Sequence, residues 1–171
     1  MVVDKEREVP VGVVNDLCEL ATWAPNHKQT APWRFAYFTG EGRRRFGETM
    51  VADMVAADFG DDGKRAKTAV KYLRTPGILV VGCAPHDDAM LDVENGYAVA
   101  AGIQNLLLAA TSLGVGTFWS TPALARPPQV LELCGFGPDD RIVGVLYIGW
   151  AHDRAPATAE HPAPQVHHVE G

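Results

Sequence analysis

The sequence predicts a mixed α/β sandwich, a single domain in which a few strands are flanked by several helices. Three observations carry that reading. The run Ile78–Ala84, "ILVVGCA", is unbroken and apolar, as a strand covered on both faces is. The longest helical pattern, from about Asp88 to Leu113, is rich in small residues. The strand-like segments are few, and helical segments separate most of them.

Taken in order, Val11–Trp23 places Val14, Leu17, Cys18 and Ala21 at helical spacing, which predicts a first amphipathic helix. Pro25 ends it, because a residue before proline is pushed out of the helical region. Trp33–Thr39 reads as an aromatic strand. A helix from about Arg43 to Phe59 carries Phe46, Met50, Met54 and Val55 on one face, and the run Arg43-Arg44-Arg45 is expected on its solvated face. "GDDGK" reads as a loop, and Arg65–Arg74 as a short basic helix stopped by Pro76. Val115–Ser120 is a short strand, Pro127–Cys134 a helix, and Arg141–Gly149 a last apolar strand. Residues Ala151–Gly171 are dominated by Pro, Ala and His and predict an extended tail with little core of its own. No repeat or second domain is evident, so the 171 residues form one domain.

Hydrophobic residues make up 47% and charged residues 21% of the chain, the balance of an ordinary globular protein. A net charge of -6 argues against nucleic acid as a partner. Cys18, Cys83 and Cys134 are scattered, which fits a reducing compartment and gives no structural zinc site. The stretch Tyr97–Val115 is interrupted by Gly102, Gln104, Asn105 and Ser112, so no membrane span is expected and the location is read as cytoplasmic. The six histidines lack ligand spacing, and no metal is expected.

Two segments could carry chemistry. "APNHKQTAPWRF" (Ala24–Phe35) holds Asn26, His27, Lys28, Gln29 and Thr30 between Pro25 and Pro32. It reads either as a capped turn or as one wall of a site for a flat ligand with polar edges. "GVGTFWSTPAL" (Gly114–Leu124) reads as a strand running into a turn, with Ser120 and Thr121 placed to cap a helix opened by Pro122. Backbone N–H groups at that turn would also be fixed donors to a ligand. "GDDGK" is not a phosphate loop, because Asp58 stands where the first glycine should be. Gly96, Ala98, Ala100, Ala101, Gly102, Ala109 and Ala110 mark the long helix as one buried in its own core or packed on its copy across a two-fold axis.

Three blocks, "ATWAPNHKQTAPWRFAYF", "NGYAVAAGIQNLLLAATSLGVGTFW" and "DDRIVGVLYIGW", resemble in order and spacing the FMN-dependent nitroreductase family, its small short-chain branch in particular. The resemblance runs from about Val9 to Arg154. It implies an α+β fold with a mixed central sheet, a homodimer with FMN at the subunit interface, and hydride transfer from NAD(P)H through the flavin to nitro compounds, quinones or similar small acceptors. The tail from Ala151, lacking a core of its own, is expected to be exchanged and to pack on the partner. By position it implies that Trp23, His27, Lys28 and Gln29 line the cofactor, with Ala31 standing where members carry Gln. It implies the same for Trp119, Ser120 and Thr121, and a phosphate contact for Arg154. The family's Arg-Arg-Ser phosphate grip would fall before Met1. Either the true start lies upstream and supplies that grip, or the chain starts at Met1, in which case Arg154, then Lys5 and Arg7, are the expected cations and FMN is expected to bind loosely.

The flavin would carry the chemistry, so no catalytic acid–base pair is expected. The alternative reading is a weakened flavin- or nucleotide-binding protein on the same fold.

Overall fold

The computed structural model describes residues 3–152 and 162–169. Its elements are α1 (Val11–Thr22), β1 (Trp33–Thr39), α2 (Gly40–Ala56), α3 (Asp62–Lys71), β2 (Gly77–Cys83), α4 (Ala89–Ser112), β3 (Val115–Ser120), α5 (Pro128–Cys134) and β4 (Arg141–Trp150). Short 3-10 turns lie at His27–Gln29 and Tyr72–Arg74. The α+β class is as expected.

The sheet has the order β1-β2-β4-β3, and every pair is antiparallel. This corrects the expected mixed sheet. The reason lies in how the helices return the chain. From Thr39, α2 runs out and α3 runs back, so β2 begins beside the end of β1, with Gly77 opposite Thr39. The single 24-residue helix α4 does carry the chain the length of the sheet, about 36 Å at 1.5 Å per residue. β3 therefore points the same way as β2, but β4 inserts between them and removes the parallel pairing.

Burial divides into two layers. On one face of the sheet, α1 and α4 contribute Leu17, Ala21, Ile103 and Leu106, packed on Leu79, Val81, Leu146 and Ile148. On the other, Phe46, Met50 and Met54 of α2 and Val130 and Leu131 of α5 pack on Ile78, Val80 and Tyr147. Each fully buried aliphatic side chain contributes roughly 1.5–3 kcal/mol by leaving water. β2, buried along its whole length, is the central strand its apolar run predicts.

Three local readings are corrected. "GDDGK" is the start of α3, not a loop, because the Asp61 carboxylate caps it by accepting from the Lys64 N–H at 2.7 Å. Pro122 opens no helix, and Ser120 and Thr121 cap nothing; the next helix waits until Pro128, whose following Val130 and Leu131 have the α2 layer to pack on. Arg43 is half-buried rather than solvated, with Nη1 donating to the Thr75 carbonyl. At the sheet's end, Val3 bridges to Ala151, and residues 162–169 are exposed without regular structure. The rest of the tail, Arg154 included, lies outside the described residues, and so does its expected packing on a partner.

Candidate functional site

The site is built where the loop between α1 and β1 meets α4. α4 presents Glu94, Asn95 and Ala98 to the loop. His27 Nδ1 donates to Glu94 Oε2 at 2.6 Å, which leaves the other ring nitrogen, Nε2, out of that contact. The Thr30 hydroxyl donates to Asn95 Oδ1 at 2.5 Å, and Asn95 Nδ2 donates to the Ala84 carbonyl at 3.4 Å. Trp33 Nε1 donates to the Ala98 carbonyl at 3.3 Å. Within the loop, Asn26 Oδ1 accepts from the Ala31 N–H at 2.9 Å. Gly102 allows the approach: a Cβ there would sit 2.5 Å from the Ala21 carbonyl and 2.8 Å from Trp33 Nε1.

These bonds hold a strained backbone. Lys28, Gln29 and Ala31 have φ of 59°, 53° and 48°, all in the left-handed region that side chains disfavour. Such strain persists where surrounding contacts impose it, and it clusters at ligand sites. His27, Lys28 and Gln29 remain exposed. Beside them opens a cleft of about 370 Å3 lined by Trp23, Ala24, Asn26, Gln29, Ala31 and Trp33. Trp23 is 77% exposed, an unusual placement for the largest apolar side chain. His27 and Glu94 line a neighbouring recess of about 320 Å3 with Pro25 and Tyr97.

The second predicted segment is split by strand alternation. Trp119 lies on the α4 side of the sheet, its Nε1 donating to the Val143 carbonyl at 3.4 Å, in space left by Gly144. Ser120 lies on the α2 side, lining another recess with Phe118 and Tyr147. Thr121 follows, exposed. The structure thus brings Trp23, His27, Lys28 and Gln29 together on one loop, sets Trp119 on the same side of the sheet, and turns the Ser120 side chain away. Of the two weaker cations, Arg7 places its guanidinium 4.3 Å over the Trp150 ring, and Lys5 is exposed. Asn95 and Glu94, which hold the loop, were missed. Their one sequence signal is a pair of polar residues at the head of a small-residue helix.

The whole described core of this fold, residues 3–150, matches the model of the nitroreductase family. The chain belongs to the nitroreductase family. Two curated relatives agree. YdjA of Escherichia coli, named for an inferred NAD(P)H nitroreductase activity, is 32% identical over 142 residues, covering 82% of this chain and 77% of YdjA. YfhC of Bacillus subtilis, named in the same way, is 30% identical over 159 residues, covering 89% and 79%. Among solved structures, a nitroreductase-like family protein from Bacillus cereus superposes with a TM-score of 0.81 at 29% identity, covering all of this chain and 91% of that one. A nitroreductase with bound FMN from Bacteroides fragilis gives 0.75 at 21% identity over 99% and 92%, a likeness of fold.

Among the described residues, no helix is long and apolar enough to cross a membrane, and no His, Cys, Asp or Glu group has the makings of a metal site.

Proposed function

We propose that this nitroreductase-family chain is an FMN-dependent oxidoreductase, working as a cytoplasmic homodimer, that passes reducing equivalents from NAD(P)H to nitro compounds, quinones or similar small acceptors. The observation that carries the reading is the strained polar loop, with three left-handed non-glycine residues fixed to α4 beside an open cleft. The lining fits a flat ring with polar edges: Gln29 and the exposed Trp23 share the cleft, and Lys28 stands exposed beside Gln29 on the same turn.

When bound, FMN would supply the acceptance of hydride from NAD(P)H and its delivery to the acceptor. The chain's own residues bind and orient. Lys28 and Gln29 would hold the ring's polar edge, with Lys28 adding positive charge where the reduced ring gains negative charge. Trp23 and Trp119 would cover apolar ring surface and exclude water. His27, held by Glu94, keeps Nε2 available as a donor or acceptor at the cleft's rim. The backbone N–H groups at Ser120 and Thr121 and the cation of Arg154 complete the proposed set.

The homodimer is supported by the outer face of α4. Met90, Val93, Tyr97 and Leu108 recur at helical spacing and are all exposed, Tyr97 at 69%. An apolar stripe of this kind marks an interface. With the tail from Ala151 added, the buried surface should exceed roughly 2,000 Å2 in total.

The deciding experiment is to add FMN to purified protein, remove the excess, and record the visible spectrum and NAD(P)H consumption with a nitroaromatic and a quinone. Retained flavin absorbance with acceptor-dependent turnover supports the enzyme. Protein that stays colourless would sink it. Retained flavin without turnover would leave a flavin-binding protein. Arg154→Ala should weaken FMN more than riboflavin, since only FMN carries the phosphate; equal losses would remove Arg154 from the set.

A further inference from the structure

Another recess lies over the seam between α2 and α5. It encloses about 470 Å3 and is lined by Arg45, Thr49, Gln129, Glu132 and Leu133. None of these residues lines the cleft at Trp23 or the recess at Ser120, and none belongs to the proposed cofactor set.

Helical spacing builds both walls. Arg45 and Thr49 stand at i and i+4 on α2, and Gln129, Glu132 and Leu133 at i, i+3 and i+4 on α5, so each set shares one helix face. Their neighbours Phe46, Met50, Val130 and Leu131 are buried in one cluster, which fixes the two helices relative to each other. Asp53, the next turn of α2 after Thr49 and 1% exposed, accepts from Gln129 Nε2 at 3.1 Å. That bond engages the amide's donor end and leaves Oε1 to accept from elsewhere.

The rim is bipolar. Arg45 and Glu132 stand exposed on opposite walls. Among the described residues neither is in ion-pair contact, with the other or with any other charge, although the adjacent Arg44 pairs with Glu41. Opposite charges that share a recess without touching leave room for a molecule carrying both. The volume lies within the range of small-molecule sites.

We infer that this recess binds a free α-amino acid with an apolar side chain. The carboxylate meets Arg45, the ammonium meets Glu132 and the Gln129 Oε1, and the side chain lies against Leu133. Arg45 offers the planar fork that meets a carboxylate through two parallel bonds. An ammonium has three donors, which the Glu132 carboxylate, the Gln129 Oε1 and the Thr49 hydroxyl can accept. A residue at a peptide's end carries only one of the two charges on its α-carbon, so the free amino acid alone satisfies both walls. The inference is independent of the redox reading.

The probe is L-leucine, titrated calorimetrically into the full chain. N-acetyl-L-leucine keeps the carboxylate without the ammonium, L-leucinamide the ammonium without the carboxylate, and glycine both charges without the side chain. Leucine should bind at least about tenfold more tightly than each of the three, a difference of about 1.4 kcal/mol. Arg45→Met and Glu132→Gln should each cost about tenfold or more, and Thr49→Val about threefold. Thermal unfolding of each variant shows that it is folded. Leucine affinity should be the same with and without FMN. No leucine binding at about 10 mM overturns the site, and so does equal binding of leucine and leucinamide. An affinity unchanged in both charge variants overturns it too, as does competition with FMN, which would move leucine into the cofactor cleft. A chain that binds no FMN still gives the leucine result, so the two readings fail separately.

Discussion

Asp53 and Asn95 are the most deeply buried polar residues described, at 1% and 2% exposure, and they lie on opposite sides of the sheet. Asp53, on α2, accepts from the Gln129 and Val130 N–H groups at 3.2 and 3.0 Å and from Gln129 Nε2 at 3.1 Å. It closes the start of α5 from another helix, where those backbone donors would otherwise be orphaned. Asn95, on α4, uses the same kind of buried polar contact to hold a loop whose neighbouring residues stay exposed and left-handed. Equal burial thus hides different work. One residue ties two packed helices, and the other ties a helix to strained backbone facing solvent. The strain beside the contact, more than the burial of the polar group, distinguishes a binding wall from a structural tie.

Asp53→Ala should have the largest effect. Three donors lose their acceptor inside the α2–α5 layer, and stability should fall by about 3 kcal/mol in urea unfolding. A loss below about 1 kcal/mol would mean that water satisfies α5 and the contrast between the two layers is weaker than drawn. Gly102→Ala strikes the other layer, forcing α1 and Trp33 away from α4, and should cost about 2 kcal/mol. Gly12→Ala, where an added Cβ meets nothing within 4 Å, is the control and should stabilise α1 by about 0.5–1 kcal/mol. If both alanines behaved alike, close approach would not explain Gly102.

Asn95→Ala should cost less overall, about 1 kcal/mol, but its effect should be local. Exchange at the Gln29 and Ala31 amides, which bond to Asn26, should quicken about tenfold while that of β2 stays near its parent rate. Uniform quickening would make Asn95 a structural tie like Asp53.

The smallest expected effect is on pH. Burial pushes the thiols of Cys18, beside the α1–α4 layer, and Cys134, beside the α2–α5 layer, from 9.0 up to about 12. Because the folded values are raised, the neutral thiols' contribution is fully present below pH 9 and is lost as pH rises from 9 towards 12. Cys18→Ala and Cys134→Ala should each flatten the alkaline decline in urea midpoint and leave its slope near neutral pH unchanged. A variant that declines as steeply as its parent would show that its thiol is not shielded.

Much of this was readable because it is local. Val14, Leu17 and Ala21 recur at helical spacing and are the buried residues of α1, and "ILVVGC" is the fully buried strand. The Ala24–Phe35 loop stood out for the same reason, with polar side chains bracketed by prolines. What failed to read depends on distant partners. The antiparallel pairing follows from where α2 and α3 return the chain. Asn95 reaches Thr30, 65 positions away, and nothing about an asparagine in a small-residue helix announces that. Pro122 and Pro128 look alike as helix openers, and apolar residues after both pack on the α2–α5 layer. After Pro128, however, the distant Asp53 carboxylate also accepts from the Gln129 and Val130 N–H groups. Strand alternation, applied to "TFWS", would have separated Trp119 from Ser120 beforehand.

The strand order sets a schedule for folding. β4 supplies the middle of the sheet, pairing with both β2 and β3, yet it is the last of the described strands to leave the ribosome. Until Arg141 can meet Cys83, β2 has one neighbour and β3 has none, and a long loop must close before either is paid for in contacts. Such non-local closure is slow, and an apolar strand left waiting with a free edge invites pairing with other chains. The nascent protein is therefore most vulnerable to aggregation in the interval between the emergence of Cys83 and that of Trp150.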